Sequence, residues 1–150
     1  MHYATLGEIV ASKDSLDKLF SAAPEDIDFA FELAELQREL DDRHEAFSQQ
    51  QAKYAEKYGT PSPKGRGFIF VKVDEDGEPI KDENGEYITD TEAITAFNEK
   101  MDALAAKEVE VSRKLTRNEI GMIREDVKLS ANDLRSILWL IETEEEHADE

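Results

Sequence analysis

The chain contains no cysteine, which removes disulfide frameworks, thiolate nucleophiles and cysteine-ligated zinc from consideration and agrees with a reducing compartment. It has no apolar run near the roughly 20 residues that a membrane-spanning helix requires. Its opening residues, Met1 to Glu8, lack the basic start and apolar stretch of a signal peptide. A soluble, cytoplasmic protein is therefore expected. Histidine is scarce, with His2, His44 and His147 the only three. Positive charge is scarce too: 18 basic residues stand against 36 acidic ones, a net charge of -18. Nucleic-acid affinity depends largely on Lys and Arg displacing counterions from phosphates, so no direct nucleic-acid partner is expected.

The acidic excess runs throughout. Residues 1–60 hold 13 acidic and 6 basic side chains, 61–90 hold 8 and 4, and 91–150 hold 15 and 8. Such a surface keeps a small protein soluble and monodisperse. The alternative is that carboxylates on a rigid helix imitate a phosphate backbone and occupy a DNA-binding protein's groove.

At 150 residues and 39% hydrophobic content, the chain suffices for one domain that folds without staples. Residues 1–23 read as short helices: Thr5 and Glu8 have capping-box spacing, and Ser12 can cap a second segment carrying Leu16, Leu19 and Phe20. Pro24 suits a first helical position and opens a long helix over 24–58. Its heptad stripe is Phe29, Leu33, Leu36, Leu40, Phe47 and Tyr54. A second stripe, Ile27, Phe31 and Ala34, predicts that the N-terminal half is gripped on both sides. Gly59 closes the helix in the left-handed conformation, and residues 59–67 form a loop with Lys64 and Arg66 as its only charges.

Residues 68–89 read as a β meander. Its eight-residue repeat places Asp76-Gly77 and Asn84-Gly85 as two-residue hairpin turns with positive φ at both central positions. Pro79 should put the middle strand at an edge. A returning helix over 90–106, capped by Asp90 or by Thr89 with Glu92 placed for a box, repeats Ile94, Phe97, Met101 and Leu104. Within 107–142, Glu108 to Val111 alternates like a strand with one wet face. Thr116 with Glu119 opens a short helix, and Ser130 with Asp133 opens a final one whose apolar face is Leu134, Ile137, Leu138 and Ile141. Trp139 lies off that face. Residues 143–150 form an acidic tail.

Catalytic and metal-binding patterns are thin. Asp74, Asp76 and Gly77 imitate the start of a calcium loop but lack the bidentate Glu and flanking helices of an EF-hand. Asp41 with His44, and Glu144 with His147, have the i, i+3 spacing of carboxylate-bridged metal sites, which need further inward ligands from four helices. No Gly-x-Ser-x-Gly elbow or phosphate-cradling loop is present. Neither an enzyme, a cofactor nor a metal is expected.

The order of parts resembles a family. An Ala11-Ser12-Lys13-Asp14-Ser15-Leu16-Asp17-Lys18-Leu19 segment precedes the long helix. Glu56-Lys57-Tyr58-Gly59, an acidic Asp-Gly/Asn-Gly hairpin and Ala96-Phe97-Asn98-Glu99-Lys100-Met101 follow. The chain then runs through Glu108-Val109-Glu110-Val111 and Leu129-Ser130-Ala131-Asn132-Asp133-Leu134 into Trp139-Leu140-Ile141-Glu142. This layout is similar to small bacteriophage proteins common in phages of Gram-positive hosts, from which it departs in its longer 59–67 loop. The resemblance implies phage origin, a non-enzymatic role, and a location in the host cytoplasm or the virion.

The expected architecture is α+β and mostly α: an antiparallel, coiled-coil-like helical hairpin joined by a small β meander, with short N-terminal helices and a C-terminal helix. The expected function is protein binding, as an assembly factor, chaperone or small virion component, with a homo-oligomer as one outcome. Phe47, Tyr54 and Trp139 are the expected contact residues, being large and placed where the internal core runs out. The alternative, a DNA-mimicking inhibitor of a host nucleic-acid-handling or defence protein, rests on Glu32, Glu35, Glu39, Asp42 and Glu45 along the long helix.

Overall fold

Most helices of this chain begin where a side chain can satisfy free backbone amides. The computed structural model describes residues 1–143 and is α-rich, with small antiparallel strand pairs, an α+β architecture. In chain order the elements are β1 (His2–Thr5), α1 (Leu6–Ala11), α2 (Lys13–Phe20), α3 (Ile27–Tyr58), β2 (Thr60–Pro61), β3 (Phe68–Ile69), α4 (Thr91–Ala105), β4 (Glu108–Val111), α5 (Arg117–Asp126) and α6 (Ala131–Ser136). The Thr89/Glu92 box does not form, but capping boxes do form at Thr5/Glu8 and Thr116/Glu119, where the spacing predicts them, and at Ser130/Asp133, where a helix start is expected. In each, the hydroxyl accepts the third residue's N–H while that residue's carboxylate accepts the cap's own N–H.

Other boundaries differ from expectation for local reasons. The long helix starts three residues after Pro24, because Asp26 Oδ1 accepts the Phe29 N–H at 3.1 Å and so fixes the first turn. Ser12 does not cap α2; its hydroxyl donates back to the carbonyls of Glu8 and Ile9. For α4, Asp90 rather than Thr89 is the cap, accepting the Ala93 N–H at 3.1 Å. The last helix stops at Ser136 and a 3-10 turn, Leu138–Leu140, follows. The change of pitch sends Ile137 and Leu140 inward and leaves Leu138 exposed, so the expected four-residue apolar face is broken. The acidic tail beyond Thr143, with the Glu144/His147 pair, lies outside the described residues.

The chain divides into two compact units, Met1–Ala46 with the chain from Ala105 onward, and Phe47–Leu104. The first holds every buried hydrophobic side chain except Phe47. Its sheet pairs β1 with β4 antiparallel, Ala4 opposite Val109 and His2 opposite Val111. Ala4, Val109 and Val111 face inward while Tyr3, Glu108 and Glu110 face water, the alternation that the Glu108–Val111 sequence announces. Its partner strand was not evident in the sequence. The same unit buries Ile9, Leu19, Leu36, Leu115, Ile123, Ile137 and Leu140, all with almost no exposed surface.

The second unit contains the C-terminal part of α3, the turns, and nearly all of α4. Gly59 follows α3 without positive φ. Its requirement is room: a Cβ there would lie 2.7 Å from the Ala55 carbonyl oxygen and 3.1 Å from Phe68 Cβ. The meander reduces to single bridges, Val71 with Thr89, Val73 with Pro79, and Lys81 with Tyr87. Its three segments close on one another. Lys72 N–H donates to Ile88 O, Ile88 N–H to Ile80 O, and Ile80 N–H to Lys72 O, at 2.8, 3.0 and 2.9 Å. Each segment therefore has two neighbours, and the segment carrying Pro79 is not an edge.

The turns also differ from expectation. Only Gly77 and Gly85 have positive φ, near +80°, and Asp76 and Asn84 do not. Asp74 Oδ1 accepts the N–H groups of Asp76 and Glu78, and Asp82 Oδ1 those of Asn84 and Glu86. These Asx caps hold a type I turn, after which glycine supplies the left-handed residue, giving three-residue loops instead of two-residue ones.

Candidate functional site

The long helix carries most of the candidate residues, and the structure separates them by face. Phe29, Leu33, Leu36 and Leu40 are buried, as the heptad predicts. Phe47 is 8% exposed and belongs to its own chain's packing, whereas Tyr54 is half-buried. Trp139 is half-buried as well, but its indole N–H is enclosed without a hydrogen-bond partner.

The stripe expected to be gripped is not. Ile27 is 71% exposed and Phe31 69%, and Ala34 is exposed beside them. The reason is rotational: at 100° per residue these positions lie roughly opposite Phe29, Leu33 and Leu36, and in this unit the core reaches α3 from that one side.

The carboxylates of the proposed mimic face have diverged. Glu32 and Glu119 both bind the Arg113 guanidinium. Glu39 accepts the Ser112 N–H at 2.9 Å and the Ser112 hydroxyl at 2.6 Å. Both glutamates thus clamp the segment after β4 onto α3. Burial opposes the Arg113 charge, and Glu119 and Glu32 outweigh it, so the guanidinium holds its proton more tightly than usual. Glu45 is engaged as well. Glu35 and Asp42 remain exposed without an ion pair among the described residues.

A buried polar network that sequence reading missed ties α2 to α6. Ser136 Oγ donates to Ser15 Oγ at 2.8 Å, Ser15 Oγ donates to Asp133 Oδ1 at 2.9 Å, and Lys18 Nζ lies 3.2 Å from Asp133 Oδ2. The Ser130 N–H, Ser15 and Lys18 all favour the charged carboxylate and hold Asp133 well below the usual carboxylate range. Ser15, Lys18 and the Ser130 N–H between them engage both oxygens of the Asp133 carboxylate. The network fastens one helix to another. Only the cap spacing of Ser130 and Asp133 hinted at it.

His44 and Asp41 border a space of about 10 Å³ between Ile9, Leu16, Phe20 and Leu40, room for about one water. Among the described residues no group of three His, Asp or Glu side chains could hold a metal ion. Asp74, the first residue of the calcium-like pattern, spends its Oδ1 on two backbone amides. A wider depression of about 590 Å³ is lined by Lys72, Val73, Ile80, Thr89, Asp90, Thr91 and Glu92.

Charge in the second unit is less even than counts by thirds suggested. Residues 47–73 carry five basic side chains and a single acidic one, and the acidic residues begin at Asp74. None of these groups makes an ion pair among the described residues. No described helix is long and apolar enough to cross a membrane. No protein-family model, curated protein or solved structure matches this chain.

Proposed function

We propose that this chain is a non-enzymatic bacteriophage accessory protein that binds another protein, as an assembly factor, chaperone or small virion component. One observation carries the reading. In the unit Phe47–Leu104 the apolar residues of α4, Ile94, Phe97, Met101 and Leu104, are only partly buried, as is Tyr54, and among the described residues Phe47 is the unit's one buried hydrophobic residue. An apolar face that its own unit covers incompletely leaves surface that a partner can cover. In this reading the end of α3 and α4 form the antiparallel, coiled-coil-like hairpin expected from their stripes. Tyr54 is then a contact residue over the internally packed Phe47, and Trp139 a separate one. The phage origin follows from the resemblance in element order.

The DNA-mimic alternative keeps Glu35 and Asp42, which have no ion pair among the described residues, while Glu32 and Glu39 serve the chain's own packing. Affinity capture with tagged protein from infected and uninfected nuclease-treated lysates separates the two. Viral structural proteins retained in both about 50 and about 500 mM salt support an apolar assembly interface. A host DNA- or RNA-handling protein retained only at low salt supports mimicry. Capture of neither removes the protein-binding reading.

A further inference from the structure

We propose that the outward face of the first turns of α3, centred on Ile27 and Phe31, docks an amphipathic segment of a partner protein whose apolar stripe is bordered by lysine or arginine. The inference rests on the protein-binding reading above but concerns a different surface, outside the Phe47–Leu104 unit.

Three observations carry it. Ile27 and Phe31 stand one turn apart on a formed helix and are among the most exposed large apolar side chains among the described residues, whereas scattered surface hydrophobics seldom align on one helical stripe. Second, the stripe has a charged border. Asp28, Glu35 and Asp42 repeat at seven-residue spacing along one side of it, all exposed, and none has an ion pair among the described residues. Arg38 marks where the apolar stretch ends. Third, this border is not consumed by folding. Glu32 and Glu39, on the next row round the helix, hold Arg113 and Ser112, which leaves the outer row available.

Charge complementarity selects the occupant. A second copy of a chain with net charge -18 would bring like charges to the rim of the patch. An apolar segment edged with cations fills the stripe, neutralises the outer row, and is steered toward the protein by its overall field. Phe31 is the anchor, because a large aromatic at the centre of a small patch takes most of its energy.

The test uses the full chain, isotopically labelled and titrated with three short helical peptides: leucine with lysine, leucine with glutamate, and serine with lysine. The leucine–lysine peptide is expected to shift amide resonances mainly within residues 27–42. Phe31→Ser should weaken its binding about tenfold or more without loss of helicity, and Ile27→Ser serves as the second variant. The leucine–glutamate peptide should not bind, and the serine–lysine peptide should bind at least as weakly as the leucine–lysine peptide binds Phe31→Ser. Shifts spread over the acidic turns and indifferent to Phe31→Ser would overturn the proposal, as would a concentration-dependent dimer, seen by sedimentation, that Phe31→Ser abolishes. Lysate capture is read separately. A partner retained equally by Phe31→Ser removes this surface and leaves the protein-binding reading intact, whereas capture of nothing by the wild type removes that reading itself.

Discussion

Two substitutions five residues apart on α3 should differ several-fold in their cost. Leu36 is 1% exposed and faces the core, whereas Phe31 is 69% exposed on the opposite side. Truncating Leu36 to Ala removes three buried carbons and leaves a cavity bounded by other core side chains. Large-to-small changes of this kind cost about 2–5 kcal/mol, and for a chain of this size that corresponds to a melting-temperature loss of roughly 5–15 °C. Phe31→Ala removes more atoms, but from water. It should stay within about 0.5 kcal/mol of wild type, with alanine's helix propensity in its favour. The assay is urea unfolding followed by far-UV circular dichroism, comparing midpoints at unchanged slope. Equal destabilisation by the two variants would refute the one-sided core, because it would mean that the Ile27–Phe31 stripe is covered in the free protein. Leu36→Ala costing less than about 1 kcal/mol would refute the packing on the other face.

Further outcomes follow from particular contacts. Because Asp133 titrates well below its ordinary 3.8, its contribution to stability is complete above that value and is lost as pH falls through the lower folded value; Asp133→Asn should flatten the acid limb of a stability profile below about pH 4. Gly77→Ala and Gly85→Ala should each cost about 1–2 kcal/mol, since both hold φ near +80°. By contrast Gly121→Ala, inside α5 with open space at its Cβ position, should stabilise by about 0.5–1 kcal/mol in the same urea assay. Trp139→Phe removes a buried, unpartnered N–H and should leave stability unchanged or raised within about 1 kcal/mol; a loss above about 2 kcal/mol would mean that the indole donates to a partner.

Legibility in this sequence followed the range of the interaction. Helix starts at Thr5, Thr116 and Ser130 depend on residues three apart, and the heptad of α3 on one helix's own periodicity, so both are legible and both form, although the same spacing at Thr89 and Glu92 yields to a cap from Asp90. The pairing of β1 with β4 joins Thr5 to Glu108, and the Ser15–Asp133 hydrogen bond spans 118 positions; nothing local specifies either. The turn type is not legible from Asp-Gly and Asn-Gly alone, because they fit two hairpin classes and the deciding caps, Asp74 and Asp82, sit outside the dipeptide. Gly59 was read for conformation when it was needed for clearance from Ala55 and Phe68. The Ile27–Phe31 stripe was visible as apolar spacing, yet whether another element covers it depends on tertiary packing that spacing does not encode.

Hydrogen–deuterium exchange on a captured complex tests the proposed presentation of apolar surface to another protein. Exchange should slow within α4 and the end of α3 near Tyr54, and at residues 27–42 where the partner is basic. A stable complex whose exchange in all of these segments matches that of the free chain would contradict it.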